Sequence, residues 1–178
     1  MRRQIAASLA MLLGVTLLLG FGYPLAVAGI SQLFFRNQAN GSLIYTHGKL
    51  VGSALLGQGF TNSKGNPLPQ YFQPRPSNAG AGYDGASSGA SNLGPSSETQ
   101  IHLVSERAVA FRKFNDMAPN AAVPVDAVTA SGSGLDPDIS VQNALDQAPR
   151  VARFRHLPAS RVIALVHQYT TGPQHPVV

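Results

Sequence analysis

A serine between two glycines is the feature of this sequence whose residue types and spacing come nearest to a catalytic motif. Residues 85–89 (GASSG) have the G-x-S-x-G spacing of a nucleophile elbow, in which the serine attacks an acyl group. The elbow works only when a buried strand leads into it and a helix leaves it, because that sharp turn exposes the serine. Gly, Ala and Ser dominate both flanks here, so the pattern favours a loop over a hydrolase active site.

Acidic and histidine side chains give no better candidate for chemistry. Asp126, Asp136 and Asp138 could be imagined around a hard cation, but an EF-hand needs a longer acidic ladder that ends in glutamate. Helix capping accounts for Asp136 and Asp138 instead. The sequence has no phosphate-binding G-x-x-x-x-G-K-[ST] and no cysteine. We therefore predict no catalytic residue and no metal site. The histidines lack metal-binding spacings and are predicted at the surface: His47, His102, His156, His167 and His175.

The first 36 residues predict a membrane anchor. Residues 4–35 contain no charged side chain, and about 20 apolar residues suffice to cross the hydrocarbon core of a bilayer. Arg2 and Arg3 precede this stretch, whereas only Arg36 follows it closely. Because Lys and Arg stay preferentially on the cytoplasmic side, the N-terminus is expected inside and residues 37–178 outside the plasma membrane.

Two further features of the anchor bear on this interpretation. The alternative is a cleaved signal peptide, since residues 26–28 (AVA) have the small-x-small form of a cleavage site. The apolar run continues past that site and exceeds the usual h-region, which favours an uncleaved anchor. Ala6, Ala10 and Gly14 recur every four residues, and such a stripe would let another transmembrane helix pack closely.

Composition limits the remaining residues to one domain held together by packing. Charged residues make up 12% of the chain and the formal net charge is +5, without runs of Lys and Arg among aromatics, so a nucleic-acid partner is not indicated. A surface rich in Ala, Gly, Ser and Asn indicates either a partner-facing domain or an uncharged polar surface. We predict an α+β fold: one transmembrane helix, then a single extracytoplasmic domain with a small sheet and three to four helices.

The predicted elements alternate with a long irregular stretch. Residues 43–51 read as a hairpin around His47-Gly48, and residues 62–96 form a Gly/Ser/Pro-rich loop. Ser97 caps a helix that ends near Asn115. Residues 123–128 are predicted as a short strand. Asp136-Pro137 is predicted to begin a helix with Ile139, Ala144 and Leu145 buried, and Pro149 to kink or split it before a stripe of Val151 and Phe154. A last helix places Val162, Leu165, Val166 and Tyr169 on one face before Gly172-Pro173.

Five segments carry a resemblance to a known family, in the same order along the chain. They are residues 52–60 (GSALLGQGF), 71–77 (YFQPRPS), 88–95 (SGASNLGP), 123–137 (VPVDAVTASGSGLDP) and 147–152 (QAPRVA). Together with the N-terminal anchor they resemble the KdpC family, the small subunits of Kdp potassium-transporting P-type ATPases. The resemblance covers nearly the whole chain. It departs from the family in a longer stretch at residues 62–70 and in an end at residues 176–178, where family members continue into an apolar, strand-like segment; we expect the sheet to lack an edge strand.

The resemblance implies an accessory role in a membrane complex. One partner would be a channel-like subunit that selects potassium, and the other a P-type subunit that hydrolyses ATP. The family is described as a catalytic chaperone that raises the ATP affinity of the hydrolytic subunit, so ATP is a possible ligand, with no nucleotide-binding residue assigned and no covalently bound cofactor. The alternative is a membrane-anchored extracytoplasmic hydrolase or binding protein. The candidates for partner contact are Tyr71, Arg75, Tyr83, Asn92, Thr129, Ser131, Ser133 and Asp136.

Overall fold

The chain forms two compact units, residues Met1–Ala54 and the described part of Leu55–Val178. The structure is a computed structural model and describes residues 1–172; the predictions for Pro173, His175 and residues 176–178 lie outside this range. It contains helices and a two-stranded antiparallel sheet, which confirms the predicted α+β class. The compact units divide after Ala54, whereas the predicted limits 1–36 and 37–178 describe the membrane boundary and stay a prediction.

A long apolar helix begins the first unit. Residues Arg2–Phe34 form 33 helical residues, which include a strongly apolar window of 18 residues, and none of the 33 is buried within the structure. The helix consists of α1 (Arg2–Leu17), a π-helical turn (Leu18–Gly22) and α2 (Tyr23–Phe34). The N–H of Tyr23 donates to the carbonyl of Leu18, one residue before Pro24. A π-turn at this place is explained by Pro24, which lacks an N–H and crowds the preceding turn.

A short helix and the hairpin complete the first unit. After α3 (Arg36–Ala39), β1 (Leu43–Thr46) pairs antiparallel with β2 (Lys49–Ser53), as predicted. The two-residue loop has φ of 50° at His47 and 75° at Gly48. Positive φ values at both loop residues give the loop a backbone twist that matches the twist of the two strands. The two-residue loop pairs Tyr45 with Leu50, so the apolar residues Leu43, Tyr45 and Leu50 lie on one face, and a bulge at Val51 then pairs Ile44 with Gly52.

Helices frame the second unit. They are α4 (Glu98–Phe114), α5 (Val125–Val128), α6 (Val141–Phe154) and α7 (Ala159–Gln168). The predicted cap of α4 is confirmed, because the Ser97 side chain accepts from the N–H of Gln100 and the helix ends at Asn115. The small core lies between α6 and α7. It consists of Ala148, Val151, Ala152 and Val162, with Phe72, Leu157 and Ile163 packed against it.

Three predictions for the second unit are wrong in detail. Residues 125–128 form the one-turn helix α5 after Pro124, and residues 123 and 124 are irregular, so the predicted strand is absent from this segment. Helix α6 begins after Ser140, whose side chain accepts from the N–H of Asn143, so Asp136 is not its N-cap. The helix also continues through Pro149, so the predicted split is wrong, and the alternative of a kink at Pro149 stays a prediction.

The predicted apolar faces of the two last helices are only partly buried. Val151 and Val162 are buried, whereas Phe154, Leu165 and Tyr169 are exposed. Ile139, Ala144 and Leu145 are half-buried, and the buried residues of α6 are three polar ones, Asn143, Gln147 and Arg150, beside the core residues Ala148, Val151 and Ala152.

The loop from residue 55 to residue 96 has no helix or strand, as predicted for residues 62–96, but it is closely hydrogen-bonded. Its outermost part is an exposed turn at residues 62–66. The Asn62 side chain accepts from the N–H groups of Lys64 and Asn66, at 2.9 and 3.0 Å. Thr61 and Pro67 form a bridge at the base of this turn.

Candidate docking surface

An ion pair joins two of the predicted contact residues. The guanidinium of Arg75 lies 2.9 Å from the carboxylate of Asp136, and its Nε also donates to the carbonyl of Thr129 at 3.4 Å. The two charged side chains keep 23% and 29% of their surface exposed, so a partner can still reach them. Asp136 was predicted as a helix cap; its carboxylate instead accepts from the N–H of Asp138 and pairs with a residue far away in sequence.

Tyr83 lies against this ion pair and fixes the loop that carries Arg75. Its hydroxyl donates to the carbonyl of Arg75 at 2.9 Å. Burial raises the pKa of Tyr83 to about 12, the charge of Asp136 adds to the rise and that of Arg75 opposes it. The phenol is therefore a neutral donor at physiological pH. A Cβ at Gly57 would overlap the Tyr83 ring and lie 2.7 Å from the Asp136 carbonyl, which explains a glycine at that position.

The bend at residues 131–134 is fixed by its own serines. Ser131 Oγ accepts from the N–H of Gly134 at 2.9 Å, and Ser133 Oγ from that of Leu135 at 3.1 Å. The carbonyl of Ser133 accepts from the N–H of Gly89 at 2.9 Å. Gly134 has a φ of 67°, and a Cβ there would lie 2.7 Å from two backbone atoms, so only glycine fits without strain.

These contacts link segments that are far apart in the sequence. Leu135 accepts from the N–H of Gly57, Arg75 pairs with Asp136, and Ser133 accepts from Gly89. Parts of the segments 52–60, 71–77, 88–95 and 123–137 therefore meet on one surface. We call the group of Arg75, Tyr83, Thr129 and Asp136 the Arg75–Asp136 cluster.

The structure brings the other predicted contact residues into different surroundings. Tyr71 stacks on Phe60 with ring centroids 4.7 Å apart, and Arg155 lies over its ring at 4.9 Å. Asn92 has a φ of 54° and lies exposed, and among the described residues its side chain makes no hydrogen bond to the Arg75–Asp136 cluster. Ser131 and Ser133 lie in the bend at residues 131–134, which directly precedes Leu135 and Asp136 in the sequence. The contacts made by these residues lie within the domain, and their role toward a partner stays a prediction.

A buried arginine that local sequence patterns did not indicate holds the neighbouring segment. Arg150 is 1% exposed and donates to Asn115 Oδ1 at 2.9 Å, to Gln147 Oε1 at 2.7 Å and to the carbonyl of Tyr71 at 2.9 Å. It also donates to the carbonyl of Pro69 and lies 4.3 Å from the centre of the Phe114 ring. Burial lowers the pKa of Arg150 to about 10, with nearby Arg153 adding to the effect.

Two amides extend this buried network toward the Arg75–Asp136 cluster. The side-chain amide of Gln147 accepts from the backbone N–H of Gln73 at 2.7 Å and donates to the backbone carbonyl of Gln73 at 3.0 Å. It thus pairs with this backbone as a neighbouring strand would. Gln147 also donates to Asn143 at 2.8 Å. Segment 147–152 thereby positions segment 71–77. We call Asn115, Asn143, Gln147 and Arg150 the Arg150 cluster. The signal for it was present in the sequence: Asn143, Gln147 and Arg150 recur at helical spacing, but polar residues at that spacing usually indicate a solvated face.

A groove lies beside the Arg75–Asp136 cluster. It has a volume of about 390 Å³, and its walls include Arg75, Tyr83, Arg107, Phe111 and Phe114. Arg107 donates to the carbonyl of Val128 at 3.1 Å. With two guanidinium groups and three aromatic rings, this groove suits a protein segment with acidic and apolar side chains.

The residues first considered for chemistry have other surroundings in the structure than a catalytic or metal site would require. Ser87 lies exposed in a turn that has no strand before it, so the geometry of a nucleophile elbow is absent at that place. Asp126 accepts from Ser140 at 2.8 Å and from Asn143 at 2.9 Å; these hydrogen bonds outweigh its burial and lower its pKa. His102 lies 3.5 Å from Glu106 on α4. Within residues 1–172 no three His, Asp or Glu side chains converge as metal ligands would.

Comparisons with known proteins give one consistent result. Residues 5–178 match the model of a family described as KdpC, K+-transporting ATPase, c chain. A potassium-transporting ATPase KdpC subunit of Mycobacterium tuberculosis is 52% identical over 170 residues, which is 96% of this chain and 87% of that protein. The similarly named protein of Caulobacter vibrioides is 54% identical over 159 residues, or 89% of this chain and 76% of its own length. That of Rhodospirillum rubrum is 47% identical over 174 residues, or 98% and 86%.

Proposed function

Because the chain belongs to the KdpC family of K+-transporting ATPase subunits, we propose that it is a non-catalytic subunit which docks onto the other subunits of such a complex. The observation that carries the proposal is the Arg75–Asp136 cluster, in which segments 71–77 and 123–137, together with Tyr83, build a partly exposed, charged surface beside a groove. The hydrogen bonds and the ion pair of this cluster lie within the domain, and they leave the side chains of Arg75 and Asp136 partly exposed, where a partner could bind them.

The apolar helix anchors the protein in the membrane, and we propose that the domain lies outside the cell membrane. Arg2 and Arg3 outnumber Arg36 near the ends of the helix, and this bias places the N-terminus inside. The chain contains no cysteine, so a cysteine introduced at Lys64 would be a unique reporter. It should react with a membrane-impermeant thiol reagent in intact cells. Protection there, together with reaction only after lysis, would contradict this orientation.

On the outer side, the first partner would be the potassium-selecting, channel-like subunit. The groove of about 390 Å³ offers this partner a place for a side chain or a short segment, with Arg75 and Arg107 as cationic anchors. A domain in this position can support assembly and restrict motion of the channel-like subunit without touching potassium itself.

An effect on ATP would then be indirect. Nucleotide is cytoplasmic, so a domain outside the membrane changes the ATP affinity of the hydrolytic subunit only through coupled conformations, with the transmembrane helix as the connecting element. The small-residue stripe Ala6, Ala10 and Gly14 lies on α1, where another helix could pack closely. A photoreactive ATP analogue should therefore label the hydrolytic subunit; labelling of this chain would indicate direct binding instead.

A charge exchange tests docking separately from folding. Arg75→Asp and Asp136→Arg each place two like charges together and should weaken both the domain and the complex. The double variant restores an internal ion pair with reversed direction, so it should recover the melting temperature. If partners read this surface, the double variant should still co-purify poorly with the other subunits after mild detergent extraction.

The matched control is Arg161→Asp, because Arg161 is exposed and its side chain has no ion pair among the described residues. Full recovery of the complex in the double variant would show that the ion pair acts only within the domain. Activity of the purified chain alone, for example against esters, would favour the hydrolase alternative.

A further inference from the structure

A second groove lies directly after the membrane helix, within the first unit. It has a volume of about 400 Å³ and is lined by Arg36, Asn37, Asn40, Leu43 and Tyr45. Helix α3 and strand β1 provide most of these residues, and hydrogen bonds fix α3 to the end of the membrane helix. Asn40 exchanges two side-chain hydrogen bonds with Gln32, at 3.2 and 3.3 Å, and donates to the carbonyl of Arg36 at 2.6 Å.

The length of the helix places this groove at the membrane surface. Its 33 residues extend over about 50 Å, which exceeds the hydrocarbon core of about 30 Å and reaches beyond the headgroup regions of an untilted bilayer. A tilt of about 20° shortens this extent only to about 47 Å, close to the about 40–45 Å of a bilayer with its headgroups, so the residues just after Phe34 lie at the outer edge of the headgroup region. This placement holds whichever side of the membrane carries the domain.

The charges of the first unit are all of one sign. Residues 1–54 contain Arg2, Arg3, Arg36 and Lys49 but no aspartate or glutamate; all eight acidic residues lie further along the chain. The guanidinium of Arg36 makes no hydrogen bond or ion pair within the part of the chain that the structure describes. An anion for this groove must therefore come from outside the unit.

We propose that this groove binds the phosphate of an anionic membrane phospholipid. Arg36 pairs with the phosphate, and the amide of Asn37, which makes no side-chain hydrogen bond among residues 1–172, can donate to a phosphate or glycerol oxygen. Leu43 and Tyr45 are 39% and 61% exposed and form the apolar side of the groove. An aromatic ring with a polar tip beside an aliphatic side chain suits the boundary between headgroup and acyl chain. A free phosphate would leave that apolar side uncovered.

The experiment uses the absence of tryptophan from the chain. Full-length Tyr45→Trp protein is reconstituted in vesicles of equimolar phosphatidylcholine and phosphatidylglycerol, and one lipid at a time carries bromine near its carbonyl end. Brominated phosphatidylglycerol should quench the tryptophan more strongly than brominated phosphatidylcholine. Arg36→Gln in the same background should lower this preference about fivefold. Leu43→Trp provides a second reporter if Tyr45→Trp does not fold.

Two controls distinguish lipid binding in the groove from a general effect of positive charge and from binding of free phosphate. Lys64→Gln removes an exposed cation from the second unit and should leave the preference unchanged. Replacing chloride by inorganic phosphate at equal ionic strength should not displace the lipid. Equal quenching by both lipids, an unchanged preference in Arg36→Gln, displacement by inorganic phosphate, or no quenching by either lipid would each overturn the proposal. None of these readouts depends on co-purification with other subunits, so docking of the domain is tested independently.

Discussion

Replacing the buried Arg150 by methionine should destabilise the domain strongly. The substitution keeps much of the volume but removes the guanidinium. Three acceptors lose their partner: Asn115 Oδ1 and the carbonyls of Pro69 and Tyr71. Gln147 Oε1 keeps the hydrogen bond from the N–H of Gln73.

The magnitude follows from those three acceptors. Each buried acceptor without a partner costs about 1–3 kcal/mol. Relief of the buried charge and entry of water offset part of this, so we expect a loss of about 3–5 kcal/mol. A domain of this size is stable by only about 5–15 kcal/mol. The variant should therefore unfold at far lower denaturant concentrations.

Denaturant unfolding of the full chain in detergent, followed by circular dichroism, measures the loss. Hydrogen exchange gives the local readout, because the N–H of Gln73 should exchange faster once its segment loosens. Arg161→Met is the matched control, since Arg161 is exposed, and should change stability by less than about 0.5 kcal/mol. If Arg150→Met were within about 1 kcal/mol of the wild type, the inference that Arg150 holds the loop onto α6 would be wrong.

Two further substitutions test the Arg75–Asp136 surface. Tyr83 has a folded pKa of about 12 against 10.0 unfolded, so its contribution to stability is complete below pH 10.0 and is lost between those two values. Tyr83→Phe should not lose this stability at alkaline pH, and an absorbance titration of its tyrosines should lack the step near pH 12 that Tyr83 gives. A step near pH 12 that persists in the variant would contradict the assignment of that pKa to Tyr83. Gly134→Ala should cost about 2 kcal/mol in thermal unfolding, because of the positive φ and the close backbone atoms. Gly132→Ala, which meets open space, should be nearly neutral, and equal effects of the two would show that crowding at Gly134 is not responsible.

Local sequence patterns predicted correctly those elements whose structure depends on neighbouring residues. The membrane helix, the His47-Gly48 hairpin and the Ser97 cap depend on residues within a few positions of one another, and all three are confirmed. The family resemblance was likewise confirmed, because it rested on long strings in order.

Long-range contacts explain what local patterns missed. Asp136-Pro137 has the pattern of a helix start, but Asp136 pairs with Arg75, and Ser140 caps the helix instead. Gln147 and Arg150 face inward because the loop provides backbone partners that no local pattern shows, and Asn143 does so because it bonds Asp126 and Gln147. The four residues of the Arg75–Asp136 cluster were among the predicted contact candidates, whereas the contacts that join them are visible only in the fold.

The exposed turn at residues 62–66 has a practical consequence. Its base is closed by the Thr61–Pro67 bridge, and Gly65 at its tip has a φ of 79° with nothing close by. Chain added at such a tip lengthens a loop that is already closed, at small entropic cost. Thr61 and Pro67 also line the groove beside the Arg75–Asp136 cluster, so a fluorescent label grafted at the tip would lie close enough to report on a segment bound there, while leaving the buried arginine intact.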